Sequence, residues 1–199
     1  MAKWKRFDLQ NQHARVRFPP TPPKFMITPE QEKWIEGLSD RVISIVPYDP
    51  RSEELFESVK RKIESVLGKG VEICHIGSSY LGISGQNEID VQIPVEKEKF
   101  SIYIPLLEKV FGEVRKIYPS RARFEVRESD KKIDLAIVDI NSKNWTDNVS
   151  FHNYLRSHPL DLEKYRILKE ECDGLTTREY YRRKIEFINE ILEKANLEK

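Results

Sequence analysis

The stretch GSSYLGISGQNEID, residues 77–90, decides the fold that this sequence predicts. It begins where a short strand-like run ends, so Gly77, Ser78 and Ser79 are predicted to form a turn. Such a turn can direct backbone N–H groups and a hydroxyl toward an anion, and glycine lets a phosphate approach the backbone closely. Taken alone the pattern is weak evidence, because an ordinary turn has the same composition.

Two carboxylates follow this turn on a predicted strand, residues 88–95. Glu88 and Asp90 are two positions apart, so their side chains project from the same face of the strand. Adjacent carboxylates repel each other unless a cation neutralises them. Mg²⁺ accepts carboxylate oxygens and keeps positions for water and substrate phosphates. The alternative is an exposed strand face with two solvated acids, which explains most isolated pairs of this kind.

A third acid, Asp134, interrupts the apolar run at residues 133–138. A carboxylate inside a central strand is costly without a partner. Placed beside the Glu88–Asp90 strand, Asp134 would complete a three-carboxylate metal site. Asp139 is the competing candidate, but its position at the strand end suits a solvated acid.

The surrounding sequence predicts an α+β fold in which a mixed β-sheet is flanked by helices. Apolar stripes at helical spacing follow Ser52 and recur around Leu107, and a C-terminal helical segment begins at about residue 159. Residues 42–46 are predicted to form a strand, and residues 123–138 a hairpin. Residues 151–158 are interpreted as a loop before the C-terminal helices.

Composition excludes several classes of protein. Of 199 residues, 39% are hydrophobic and 34% charged, with a net charge of +1, which is typical of a globular protein and not of a nucleic-acid polycation. Two widely spaced cysteines support neither a zinc site nor a disulfide framework. Because no membrane span or secretory signal is evident, we expect a cytoplasmic protein.

The first 28 residues differ from the rest, being basic and rich in proline. We predict that residues 1–28 form an extended arm and that residues 29–199 form the folded domain. A solvated tail explains this arm more simply than a dedicated RNA-binding segment does.

The chain resembles the GrpB family, within the DNA polymerase β-like nucleotidyltransferase superfamily. The superfamily pattern is a Gly-Ser turn, an acid–x–acid pair on the next strand and an acid on a later strand. The resemblance covers roughly residues 42–195, and its motifs are together quite specific. The matching pieces are IVPYDP (45–50), HIGSS (75–79), Ile89-Asp90, Trp145, FHNYLRSHP (151–159), Tyr165 and Lys169.

The sequence departs from many relatives in the site itself. Ser79-Tyr80-Leu81-Gly82 replaces a Thr and Val-Pro-Gly, and Gln86-Asn87-Glu88 replaces an Ala-Lys-Pro run and an apolar residue. Asp134 and Ala136 stand where relatives often have His-x-His. The last two changes restore the acids of the broader superfamily, which favours catalysis but weakens any transfer of a substrate from relatives.

The resemblance implies a metal-dependent nucleotidyltransferase that moves a nucleoside monophosphate from a triphosphate to an unidentified hydroxyl acceptor. Glu88, Asp90 and Asp134 would be the catalytic, metal-binding residues for Mg²⁺ or Mn²⁺. The nucleotide would be bound by Gly77, Ser78, Ser79, Arg156 and Lys169. The resemblance favours a phosphate contact for Arg156 over a purely structural role in the loop, whereas an exposed, solvated side chain is the more frequent case for a lysine such as Lys169. The acceptor could be a small molecule, a protein or an RNA. The alternatives are a non-catalytic nucleotide-binding or regulatory module, or an RNA-binding protein, on the same fold.

Overall fold

The computed structural model describes residues 26–128 and 130–198. The predicted arm, residues 1–28, therefore lies outside the described residues except for its last three. The elements in chain order are α1 (Pro29–Glu36), α2 (Arg51–Leu67), β1 (Cys74–Ile76), α3 (Gly77–Tyr80), β2 (Glu88–Val95), α4 (Phe100–Phe111), β3 (Lys116–Tyr118), β4 (Arg121–Glu128), β5 (Lys131–Asp139), α5 (Lys143–Ser157), α6 (Pro159–Glu171) and α7 (Thr177–Leu197).

The five strands form one mixed sheet in the order β1-β2-β5-β4-β3. Strands β2 and β5 run parallel, and the other neighbouring pairs are antiparallel. The long connection between β2 and β5 contains α4 and the β3–β4 hairpin, as parallel pairing requires. The predicted α+β fold with a mixed sheet flanked by helices is confirmed.

One face of the sheet is apolar and forms the main core under α2 and α4. Alternation along each strand sends every second side chain to this face. The fully buried residues on the three central strands are Ile89, Val91, Ile93, Ala122, Phe124, Ile133, Leu135 and Ile137. The intervening residues therefore point to the opposite face, and most of them on β2, β4 and β5 are charged or polar.

Helices α5, α6 and α7 form a second apolar cluster beside that polar face. Its buried residues include Phe151, Leu155, Tyr165, Phe187 and Ile191. The segment after α3 packs into the same cluster and contributes the buried residues Leu81 and Ile83. The C-terminal helices are thereby docked against the turn that follows β1, which fixes their position relative to the sheet.

Two local predictions were wrong. Residues 42–46 make only isolated bridges, Val42 to Thr176 and Val46 to Gly85, because they run between two loops and find no strand partner. Residues 151–158 were interpreted as a loop, yet residues 151–157 lie in α5, whose N-terminus is capped by the Ser142 side chain. The apolar residues of α5 do not form a strong amphipathic stripe, so hydrophobic periodicity in the sequence did not indicate a helix here.

No helix in the described ranges combines the length and the apolar composition that crossing a bilayer requires.

Candidate functional site

The three predicted acids lie on the polar face of the two parallel strands. Asp90 of β2 is paired in register with Asp134 of β5, and Glu88 precedes Asp90 by two residues on the same face. Neighbouring strands are about 4.8 Å apart, so the two aspartates start from adjacent backbone positions. The sheet thus brings together three carboxylates that are far apart in sequence.

The side chains of two of these acids are bound to cations of the protein. Arg123 of β4 donates from Nε to Oδ1 of Asp134 at 2.6 Å, and its Nη2 contacts Oδ2. Lys132 of β5 donates from Nζ to Oε2 of Glu88 at 2.7 Å. Among residues 26–128 and 130–198, no three His, Cys, Asp or Glu side chains are arranged to hold a metal ion.

Asp90 has a strongly raised pKa. Burial, and then the nearby charges of Glu88 and Asp134, raise its pKa to about 7, while the charges of Lys184 and Lys169 act in the opposite direction. The ionised form is therefore costly here unless further positive charge approaches. A carboxylate in this state is suited to receive a cation.

Gly77 makes room for Asp90. Its φ is +77°, a conformation that side chains rarely adopt, and a Cβ on Gly77 would lie 2.1 Å from Oδ2 of Asp90. The turn and the carboxylate therefore depend on each other, since only glycine permits both this backbone angle and this close approach.

Two lysines from the C-terminal helices face the acids. Lys169 of α6 is 3% exposed, and its Nζ lies 5.0 Å from the centre of the Tyr165 ring. Lys184 of α7 lies over two tyrosines, with its Nζ 5.4 Å from the centre of the Tyr181 ring. Burial lowers the pKa of Lys169, as expected for an ammonium group held away from water. The charges of both lysines favour the ionised form of Asp90, so the acidic face of the sheet is opposed by positive charge from the helices.

The serine turn is held mainly by two histidines. The Gly77 N–H donates to Nε2 of His152 at 2.9 Å, and the other ring nitrogen of His152 lies 2.8 Å from the Asn148 carbonyl. Nε2 of His75 lies 2.9 Å from Oγ of Ser79. The Gly77 amide and the Ser79 hydroxyl thus have protein partners where the sequence predicted phosphate oxygens.

Ser78 occupies a different environment within the same turn. It is 6% exposed, and its Oγ lies 2.1 Å from the position that a Cβ on Gly85 would take. It borders a shallow pocket that Asn87, Glu88 and Lys131 also line. Ser79 lines this pocket too, but its hydroxyl already contacts His75, so Ser78 is the serine of the turn whose hydroxyl we assign to a phosphate in the proposal below.

Arg156 and Asp139 lie away from the acids. The guanidinium group of Arg156 lies 5.2 Å from the centre of the Tyr80 ring and donates to its hydroxyl, which places it beside α3. Asp139 accepts from the Asn141 N–H at 3.0 Å, so it closes the turn after β5. This turn contact agrees with the interpretation of Asp139 as an ordinary strand-end acid.

A family model described as GrpB protein matches residues 42–194. The chain belongs to the GrpB family. A UPF0157 protein of Halalkalibacterium halodurans is 27% identical over 161 residues, covering 77% of this chain and 83% of the relative. The glutamate-rich protein GrpB of Alkalihalophilus pseudofirmus is 25% identical over 175 residues, covering 78% and 97%.

Among solved structures, two of Leishmania infantum polymerase beta are similar at 15% identity and a TM-score of 0.36. They are a ternary P/T complex and a ternary gap complex, and the matches cover 64% and 66% of this chain. The chain spans 64% and 53% of the length of the two polymerase chains.

The two buried histidines of this GrpB-family protein predict a loss of stability in acid. Burial lowers the pKa of His75 and of His152 to about 4, from an ordinary value of 6.5. The unfolded chain therefore binds more protons between pH 6.5 and 4, and stability falls as the pH is lowered through this window, by up to about 3 kcal/mol per histidine. Denaturant unfolding at pH 7.5, 6.0 and 5.0 measures the change.

Other acidic and basic groups also contribute to that profile, so a variant is needed. His152→Gln removes one titrating group, and we expect a shallower fall in stability than in the parent protein. An identical pH profile in the two proteins would show that His152 is not the group responsible.

Sequence analysis did not identify two charged residues of the site, Lys132 and Lys184. Lys132 alternates with Asp134 along β5, and this two-residue spacing could have placed it on the same face. Lys184 follows Tyr180 by four residues on α7, a spacing that puts both on one side of the helix. The sequence did not indicate which side of α7 faces the sheet.

Proposed function

We propose that this GrpB-family protein is a nucleotidyltransferase whose site lies between the charged sheet face and helices α6 and α7. It would bind a nucleoside triphosphate with Mg²⁺ or Mn²⁺ and transfer the nucleoside monophosphate to a hydroxyl group. The supporting observation is the in-register pair Asp90 and Asp134, accompanied by Glu88, opposite the buried Lys169 and the partly buried Lys184.

The three carboxylates are suitable ligands for the proposed metal, but two of them are engaged in ion pairs with the protein's own cations. Glu88, Asp90 and Asp134 supply the carboxylate oxygens that Mg²⁺ prefers. However, Arg123 binds Asp134 and Lys132 binds Glu88, so metal binding requires both ion pairs to open. A bound divalent ion would supply positive charge that polarises the phosphate and favours the ionised acceptor hydroxyl.

The protein's own residues would then bind and orient the reactants. Lys169 and Lys184 would pair with the triphosphate, and the Ser78 hydroxyl would donate to a phosphate oxygen. Asp134 would accept the proton of the acceptor hydroxyl. The acceptor oxygen forms a bond to the α-phosphorus while the bond from that phosphorus to the bridging oxygen breaks, and pyrophosphate leaves with the electron pair.

A second candidate is a non-catalytic nucleotide-binding module. The observation that favours it is the neutralisation of Asp134 and Glu88 by Arg123 and Lys132. If these ion pairs are permanent, they replace the metal, and the lysines alone would bind phosphate. The two candidates therefore differ in whether nucleotide binding needs a divalent ion.

We also propose a cytoplasmic location, because both cysteines, Cys74 and Cys172, are free thiols.

Thermal stability of the full chain should reveal the nucleotide. At a hundredfold excess over Kd, we expect one of ATP, CTP, GTP and UTP with Mg²⁺ to raise Tm by at least about 5 °C. EDTA should abolish the rise. Lys169→Met should also abolish it, because the methionine fills the buried space without the charge that pairs with phosphate. Differential scanning fluorimetry with and without metal measures both effects.

Lys164→Met is the matched control, since Lys164 is on the same helix but pairs with Asp161 at 2.8 Å. It should keep the full nucleotide response. Stabilisation that is equal with EDTA would support the non-catalytic module, and no stabilisation by any nucleotide would refute both candidates.

A further inference from the structure

A strip of basic residues extends from the candidate site to the edge of the sheet. We define the basic strip as three basic residues and one tyrosine, namely Lys116 and Tyr118 of β3 and Arg121 and Arg127 of β4. Pairing of β3 with β4, and of β4 with β5, places all four on the polar face that holds Asp134. The strip therefore shares a surface with the proposed acceptor side of the site.

The cations at the edge end of the strip surround an aromatic ring. The guanidinium group of Arg121 lies 4.6 Å from the centre of the Tyr118 ring, and Nζ of Lys116 lies 4.9 Å from it. Within the described part of the chain, neither Lys116 nor Arg121 forms an ion pair with a carboxylate, and both contact the Tyr118 ring instead. Their charges are thus available to an anionic partner.

The one acid in this part of β4 is already neutralised. Glu125 forms ion pairs with Arg115, with Arg123 at 4.0 Å and with Lys132 at 3.8 Å. Arg127, at the other end of the strip, is exposed. The surface from Arg127 to Lys116 therefore has a net positive potential that favours a polyanion.

The strip also connects directly to the acids. Arg121 lines a shallow polar pocket together with Gln92, Asn148 and Trp145. Gln92 is two residues after Asp90 on the same face of β2. A chain lying along the strip can therefore place its end beside Asp90 and Asp134.

We propose that the basic strip binds a single-stranded nucleic acid whose terminal hydroxyl is the acceptor. The acceptor role rests on the proposed nucleotidyltransferase function, whereas binding to the strip does not. A nucleic acid offers phosphates to Lys116, Arg121 and Arg127 and a base to the ring of Tyr118. An acidic peptide satisfies the charges but leaves the aromatic ring without a stacking partner.

Fluorescence anisotropy of a labelled twelve-nucleotide RNA with the full chain tests the binding. We expect Tyr118→Ala to weaken binding by about tenfold and Tyr118→Phe to retain it, because only the first removes the stacking surface. Arg121→Gln should reduce the slope of log affinity against log salt by about 0.7, as for the loss of one phosphate contact. Lys109→Gln, on the exposed side of α4, should change neither quantity.

A polyglutamate of equal charge is the competing probe. Weak competition supports the proposal, whereas competition equal to that of RNA, or unchanged binding in Tyr118→Ala, would overturn it in favour of an acidic protein partner. Label transfer from an α-labelled nucleotide should require a free 3′-hydroxyl on the RNA and should fall about tenfold in Tyr118→Ala.

The two proposals can fail separately. RNA that binds but accepts no label, in a protein that transfers label to another acceptor, would overturn the acceptor role alone. If the parent protein shows no metal-dependent stabilisation by any nucleotide, the proposed function is wrong. The anisotropy experiment would then still decide whether the basic strip binds nucleic acid.

Discussion

Replacing Asp90 by asparagine is expected to abolish nucleotidyl transfer while preserving the fold. Asparagine has the shape of aspartate but lacks the negative charge, so the site would lose the carboxylate that we propose as its central metal ligand. A metal contributes several kcal/mol of charge stabilisation in the transition state, and each 1.36 kcal/mol corresponds to a factor of ten in rate. We therefore expect the rate of metal-dependent label transfer to fall at least about a hundredfold.

The same substitution should not destabilise the protein at pH 8. The pKa of Asp90 is raised to about 7 in the folded state, from an ordinary value of 3.8, so stability is lost as the pH rises from about 4 to about 7, and the whole cost is present at pH 8. Asparagine removes that cost, and the free energy of unfolding at pH 8 should be equal to or higher than that of the parent. Denaturant unfolding thus separates loss of chemistry from loss of structure.

Asp139→Asn is the control for this experiment. Asp139 lies at the end of β5 and accepts from the Asn141 N–H, a contact that an asparagine oxygen can keep. It should retain full transfer activity. Undiminished transfer in Asp90→Asn would remove Asp90 from the mechanism, whatever the behaviour of the control.

Replacing Gly77 by alanine should produce the largest loss of stability among single-methyl additions near the site. The residue's φ of +77° disfavours any side chain, and the added Cβ would lie 2.1 Å from Oδ2 and 2.9 Å from Cγ of Asp90. The backbone conformation costs about 1 to 2 kcal/mol, and the forced movement of neighbouring atoms adds about as much again. We expect a loss of about 3 kcal/mol in denaturant unfolding.

Gly82→Ala separates these two contributions. Gly82 has a similar φ of +68°, but nothing lies within 4 Å of the position of its missing Cβ. It should lose only about 1 to 2 kcal/mol and keep the metal-dependent nucleotide response. Gly77→Ala should lose that response as well, since the methyl group displaces Asp90. Equal losses in the two variants would show that the Asp90 contact adds nothing.

On the proposed function, the charge balance of the site predicts that substrate binding and metal binding depend on each other. Arg123 and Lys132 neutralise Asp134 and Glu88. Breaking a partly buried ion pair by removing one partner leaves an uncompensated charge, which is strongly unfavourable. In the proposed mechanism, a metal ion bound to the acids would replace these cations, which could then pair with the negative charge of a triphosphate.

Local sequence patterns determined much of the fold. The alternation of Glu88, Ile89, Asp90 and Val91 separates charged from apolar side chains whatever the strand's neighbours are, because successive side chains always point to opposite faces. The same reasoning placed Asp134 on the polar face of its strand. The change of direction at Gly77 was predictable as well, although residues 77–80 form the short helix α3 where the sequence predicted a turn.

Contacts between distant segments were decided only by the tertiary structure. The bond from Gly77 to His152, the pairing of Asp134 with Arg123 and the approach of Lys184 to Asp90 depend on strand order and on how the C-terminal helices dock. The strand predicted at residues 42–46 failed for the same reason, because a strand requires a partner that local sequence does not specify. Periodicity assigns a side chain to a face, whereas packing determines what that face meets.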